Sequence, residues 1–125
     1  MSNIFLVMTG GAIGAALRYL LGVASLRALG PGYPWGTLGA NVLGGFAMGL
    51  VAGWLATRAA GGEPLRLFVA VGILGGFTTF SAFSLDVFTM VERGQPAVAL
   101  GYVLASVIGS ILLLLLGYSL ARAVA

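Results

Sequence analysis

The chain has 125 residues, 60% hydrophobic and 7% charged, and its formal net charge of +3 comes from six arginines against three acidic residues. So apolar a composition exceeds what one small soluble core can bury, and it indicates an integral membrane protein. Lysine, histidine and cysteine are absent, which excludes disulfides, thiolate metal sites and histidine acid–base chemistry, and with them most enzymes; the scattered arginines do not form a nucleic-acid surface.

Four apolar runs are each long enough to cross a bilayer, which takes about 20 residues. They predict an all-α membrane protein with a single domain over residues 1–125, whose helices span residues 4–29, 36–55, 67–90 and 97–121. The first run has no basic region before it and is too long for a signal-peptide core, so we expect a retained helix. Four helices scarcely enclose a pore, so we also expect an oligomer.

The first two runs each contain one polar residue of interest. Arg18 lies past the middle of the first run, where a charge is costly unless it faces water, pairs or snorkels. It marks a vestibule that attracts anions, or else the helix ends near Tyr19 and the arginine is interfacial. In the second run, Asn41 offers an amide that donates and accepts hydrogen bonds, which favours a functional or interhelical role.

The third run contains the polar segment GGFTTFSAFS at residues 75–84. Two glycines followed by two threonines weaken a helix, so the third helix is predicted to break near its middle and to expose carbonyl oxygens that suit Na⁺ or another hard cation. Phe80 and Phe83 share a helical face. They are ordinary packing residues, or their ring edges, which carry partial positive charge, favour an anion.

The fourth run places Tyr102, Ser106 and Ser110 along one helical face. Their hydroxyls can relay a partly dehydrated ion, or each serine bonds back to a carbonyl of its own helix. Asp86, near the end of the third run, is most simply interfacial, with Arg93 or Arg66 as a possible partner.

Glycine spacing and arginine placement bear on assembly. Gly45, Gly49 and Gly53, and separately Gly72 and Gly76, have the four-residue spacing that favours close helix packing, within one chain or between chains. The positive-inside rule gives a near tie, because one side of the membrane carries Arg58, Arg66 and Arg122 and the other carries Arg27 and Arg93. A chain with so little bias can insert in both orientations and pair antiparallel, which is a hypothesis.

The segment at 75–84, together with GANVLG at 39–44 and the short four-span chain, resembles the CrcB/Fluc family of fluoride channels over nearly its whole length. The resemblance implies an antiparallel, dual-topology homodimer in the lipid of the cytoplasmic membrane, exporting fluoride passively to relieve its toxicity. A departure is Ala82, where the family commonly has threonine; we expect it to tune function.

The resemblance also implies roles for individual residues. Gly75 and Thr78 would hold a structural Na⁺ at the dimer interface through their backbone carbonyls. Phe80 and Phe83 would line the fluoride path with their ring edges, and Asn41 would donate hydrogen bonds to the ion. Thr79 and Ser81 would be further polar groups of the path. Tyr102, Ser106 and Ser110 would form a polar track, and Arg18 would be the vestibule arginine.

Two other functions fit a short four-span chain. A proton-coupled small multidrug exporter needs a titratable carboxylate deep in the membrane, and Asp86 lies too near a helix end to be a convincing one. A purely structural membrane subunit predicts no ion flux and tolerance of Asn41→Ala.

Overall fold

The computed structural model describes residues 2–58 and 60–124, so residues 1, 59 and 125 of the predicted domain lie outside it. Within these ranges four helices are long and apolar enough to cross a membrane, as predicted. The first two are α1 (Ser2–Leu29) and α2 (Trp35–Leu55). The third span, Glu63–Glu92, consists of α3 (Glu63–Leu65), a π-helical segment (Arg66–Leu74), α4 (Gly75–Phe77) and α5 (Phe80–Glu92). The fourth is α6 (Pro96–Val124).

The helix ends follow local chemistry. Gly30 and Gly94, which follow α1 and α5, have φ angles of 81° and 75°, the left-handed conformation that glycine adopts without strain at the end of a helix. The third span begins at residue 63 instead of the predicted 67, because Pro64 sits in the first turn of α3, where a missing N–H costs nothing. The other observed ends lie within three residues of those predicted.

Glycine lets α2 and α6 touch through their backbones. A Cβ on Gly45 would lie 2.7 Å from the carbonyl oxygen of Ser110, and one on Gly53 would lie 2.7 Å from that of Tyr118. Between them, Gly49 faces the carbonyl of Leu114 more closely still. This glycine row therefore packs within the chain, which decides between the two alternatives left open by its spacing.

The third span meets α1 in the same way. A Cβ on Gly72 would lie 2.9 Å from Cα of Gly10, and one on Gly76 would lie 2.6 Å from the carbonyl oxygen of Gly11. Outside these contacts the helices present large apolar side chains, including Phe5, Leu20 and Leu112, each more than half exposed. Apolar surface of this kind suits lipid, and the protein is a multi-pass membrane protein.

Candidate functional site

The backbone of the third span is extended at two successive residues. Thr78 has φ −82° and ψ 158°, and Thr79 has φ −151° and ψ 123°. Helical geometry resumes at Phe80, where the Thr79 side chain accepts a hydrogen bond from the N–H of Ala82 at 3.1 Å and so caps α5. The polar segment seen in the sequence thus contains the end of one helix and the beginning of the next.

Asn41 satisfies both backbone groups of Thr79. Its Nδ2 donates to the Thr79 carbonyl at 3.0 Å, and its Oδ1 accepts from the Thr79 N–H at 2.8 Å. An unpaired backbone amide is costly in a membrane, where no water replaces the missing partner. The side chain that was expected to donate hydrogen bonds to an ion therefore holds α2 against the extended residues, and its amide retains one further N–H.

The carbonyls of Gly75 and Thr78 lose their usual helical donors. In an α-helix the Gly75 carbonyl would accept from the N–H of Thr79, and the Thr78 carbonyl would accept from the N–H of Ala82. The first of these N–H groups bonds to Asn41 and the second to the Thr79 hydroxyl. The two carbonyls that the family resemblance implies as cation ligands are therefore among those left without a helical donor where α4 ends.

Arg18 reaches the same region from α1. Its Nε donates to the carbonyl of Gly76 at 3.3 Å, and α1 continues unbroken to Leu29. The helix therefore does not end near Tyr19. Arg18 and Thr79 line a cavity of about 290 Å³ together with Thr37 and Gly22, so the arginine stands beside the extended residues.

Aromatic rings form a connected series on one side of the bundle. The ring centroids of Phe80 and Phe83 are 5.6 Å apart, those of Phe83 and Tyr102 are 5.2 Å apart, and Tyr33 meets Tyr102 edge-on at 5.5 Å. Phe83 and Tyr102 are buried, whereas Phe80 is 78% exposed. The two phenylalanines thus differ: one is fixed by its neighbours and the other stands at an open surface.

An open groove of about 370 Å³ collects most of the predicted pathway residues, since Asn41, Thr79, Phe80, Phe83, Ser106 and Ser110 all line it. Ser106 is buried, and its hydroxyl has no hydrogen-bond partner among the described residues. Its side chain therefore does not bond back to its own helix, which was the alternative. A buried hydroxyl without a protein partner is costly, and this distinguishes Ser106 from the other hydroxyl residues near the groove.

Other hydroxyl groups near the groove differ in their hydrogen bonds. Thr78 donates to the Leu74 carbonyl and Ser84 to the Phe80 carbonyl, so both bond back to their own helices. Ser81 is exposed, with its hydroxyl 3.3 Å from that of Thr79. Tyr102 does not line the groove with Ser106 and Ser110; it lies next to Phe83.

Asp86 has a partner that the sequence did not predict. Its carboxylate accepts a hydrogen bond from the Tyr102 hydroxyl at 2.9 Å. The two arginines suggested from the sequence are not its partners in the described part of the chain: Arg66 pairs with Glu63, and Arg93 only lines the same cavity as Asp86. The sequence draws attention to Asp86 and to Tyr102 separately. Because the two residues lie on different helices, sequence spacing gives no sign of the hydrogen bond between them.

The sequence of this chain is similar to those of known proteins. The family model described as CrcB-like protein, Camphor Resistance (CrcB), matches residues 5–118. The chain belongs to the CrcB family. Membership covers all four spans, including the extended residues and the groove.

Curated relatives of this CrcB protein match over nearly their whole length. A protein of Mesorhizobium japonicum is 57% identical over 122 residues, 98% of each chain, and one of Chelativorans is 56% identical over 124 residues, 99% of each chain. One of Phenylobacterium zucineum is 56% identical over 125 residues, covering 99% of this chain and 98% of the relative. Each relative bears the name fluoride-specific ion channel FluC.

Proposed function

We propose that this protein is a fluoride-selective ion channel that passively exports fluoride across the cytoplasmic membrane and so relieves fluoride toxicity. The observation that carries the proposal is the groove lined by Asn41, Phe83 and Ser106, whose buried hydroxyl has no hydrogen-bond partner among the described residues. The names of the full-length relatives supply the ion. They describe channels, and none of them is named as an enzyme.

The groove offers what a small, strongly hydrated anion needs. Fluoride gives up water only where hydrogen-bond donors replace it, and the groove has the Ser106 and Ser110 hydroxyls and the remaining N–H of Asn41. Ring edges of Phe80 and Phe83 add weak positive potential without a full charge. Such neutral groups bind the ion while still allowing it to leave quickly.

Arg18 and Tyr102 extend the proposed path beyond the groove. Arg18 shares with Thr79 the 290 Å³ cavity, so Thr79 lies between the arginine and the groove. Tyr102 continues the aromatic series from Phe83 toward Asp86. In this arrangement Arg18 draws anions into a vestibule, and Thr79, Ser81 and Tyr102 give the ion further polar contacts.

The functional form is proposed to be an antiparallel, dual-topology homodimer. Phe80 lines the groove yet is 78% exposed, so one chain leaves the groove without a wall on that side. A second copy supplies that wall, and the near tie in arginine placement permits it to insert in the opposite orientation.

A structural Na⁺ is proposed at the interface of this dimer. With Thr78 and Thr79 extended, the carbonyls of Gly75 and Thr78 lack their helical donors, and Gly75 is exposed, which supports this proposal. Carbonyl oxygens are hard ligands that suit a small cation. Two from each subunit would hold Na⁺, which would join the two chains at their broken helices.

The multidrug exporter alternative gains no support. Its proton coupling requires a titratable carboxylate deep in the membrane, whereas Asp86 lies in α5, toward the end of the third span. None of the relatives described above carries an exporter's name.

Efflux from proteoliposomes tests the proposal. Vesicles loaded with equal fluoride and chloride are followed with electrodes selective for each anion, with and without an imposed pH gradient. We expect rapid fluoride release, almost no chloride release, and no dependence on the gradient. Comparable chloride flux contradicts fluoride selectivity, gradient-dependent flux indicates a coupled carrier, and absence of flux indicates a structural subunit.

A further inference from the structure

A second groove, of about 980 Å³, lies at the opposite end of the bundle from Asp86 and Arg93. It lies where α2 and α6 end and the third span begins. Its walls are mostly apolar and come from Leu50, Val51, Trp54, Leu65, Val69, Leu120, Ala121 and Val124. None of the proposed fluoride or sodium residues lines it, so it is distinct from the ion pathway.

One end of this groove is cationic. The polar residues that line it are Trp54, Thr57 and Arg58. Within the described part of the chain, no acidic residue lines it. The Arg58 guanidinium carbon lies 3.9 Å from the centre of the Trp54 ring, which holds the charge at the edge of the apolar walls. Glu63, the nearby acid, pairs with Arg66, and no side-chain hydrogen bond among the described residues uses the five N–H donors of Arg58.

The arrangement matches the polarity of a membrane lipid. Tryptophan is enriched at the level of lipid headgroups, and basic pockets between spanning helices bind anionic headgroups. An acyl chain fits the apolar walls while the guanidinium meets the phosphate. A second copy of this chain is a poorer occupant, because its net charge of +3 provides no overall attraction to a cationic groove.

We propose that this groove is a binding site for an anionic glycerophospholipid, with Arg58 contacting the phosphate, Trp54 at headgroup level and an acyl chain between α2, α6 and the third span. The proposal depends only on the protein being embedded in a membrane, so it stands whether or not the chain conducts fluoride.

Fluorescence quenching of Trp54 tests this site. The Trp35→Phe variant of the full chain, which leaves Trp54 as its one tryptophan, is reconstituted in phosphatidylcholine vesicles containing a small fraction of brominated phosphatidylglycerol or brominated phosphatidylcholine. We expect stronger quenching by the anionic lipid, with a preference of about five-fold, as one arginine near the surface provides. Arg58→Gln should abolish the preference, Arg58→Lys should retain most of it, and Arg27→Gln, at the other end of the bundle, should leave it unchanged.

Several results would overturn the proposal. Equal quenching by the two lipids removes the headgroup preference. A preference that survives Arg58→Gln, or that is lost equally in Arg58→Lys, rules out the charge of Arg58 as its source. An equal loss in Arg27→Gln shows a general surface effect. Protection of Trp54 from both lipids shows that protein, such as a second copy, covers the groove.

Discussion

Asn41 joins α2 to the extended residues of the third span through two hydrogen bonds. Its amide bonds to both the N–H and the carbonyl of Thr79, and in doing so it releases the Gly75 carbonyl from its helical donor. One side chain thereby stabilises the extended residues and retains an N–H that is not used in these two bonds. The structural role of this amide is observed, and its role toward the anion is part of the proposed function.

Replacing Asn41 by alanine should lower both stability and fluoride efflux. The change leaves the two backbone groups of Thr79 without partners, at about 1–3 kcal/mol each. A matched control is Asn3→Ala, because Asn3 is the other asparagine and is exposed at the start of α1. Thermal denaturation in detergent and electrode-monitored efflux measure the two effects. Wild-type efflux by the Asn41 variant would contradict the role toward the anion, and wild-type thermal stability would contradict the structural role.

Ser106→Ala should separate stability from transport. The Ser106 hydroxyl is buried without a partner among the described residues, so removing it takes away a desolvation cost of about 1–3 kcal/mol and should leave stability equal or higher. Efflux should fall, because the groove loses a donor for the anion.

The control for Ser106→Ala is Ser84→Ala, whose hydroxyl already bonds to the Phe80 carbonyl. That variant should leave efflux near the wild-type rate. An Ser106 variant that loses stability while keeping full efflux would indicate a structural hydroxyl, contrary to the assigned role.

At the scale of helices, the sequence predicted the four spans well because length and hydropathy alone determine them. It did not predict the π-helical segment Arg66–Leu74, because the apolar run that follows Arg66 has no periodicity that distinguishes one helical hydrogen-bond pattern from another. Nor did it predict the hydrogen bonds from Asn41 to Thr79 and from Tyr102 to Asp86, although all four residues were named as residues of interest. Each depends on the relative height and rotation of two helices, which a one-dimensional pattern does not contain.

The backbone contact between α2 and α6 should not tolerate a side chain at Gly49. A Cβ there would meet the Leu114 carbonyl, and this neighbour is main chain that cannot move aside. Gly49→Ala should therefore destabilise the protein by about 1–3 kcal/mol, as overpacking does. Gly101→Ala is the control, because an added Cβ there would meet no other helix within 4 Å. Equal stability of the two variants in thermal denaturation would contradict the close α2–α6 packing.

For the molecule as a whole, the near tie of arginines predicts insertion in both orientations. Reporters of cytoplasmic and periplasmic location, fused in turn to the C-terminus, should both give signal. Adding an arginine beside Arg58, in the loop after α2, should bias the chain toward one orientation and reduce assembly of antiparallel pairs. A wild-type chain that activates one reporter alone would exclude the dual-topology dimer.

The proposed route of the anion runs along the 370 Å³ groove that Phe80 and Phe83 line. Purified wild-type, Phe80→Ile, Phe83→Ile and Phe88→Ile proteins are reconstituted at equal density, and fluoride efflux is followed with a fluoride electrode. Phe88 is an exposed phenylalanine of α5 that does not line the 370 Å³ groove, so it controls for loss of an aromatic ring from the same helix. We predict that the first two variants lose fluoride efflux while Phe88→Ile retains it. Wild-type efflux by Phe80→Ile and Phe83→Ile would show that fluoride does not pass along this groove.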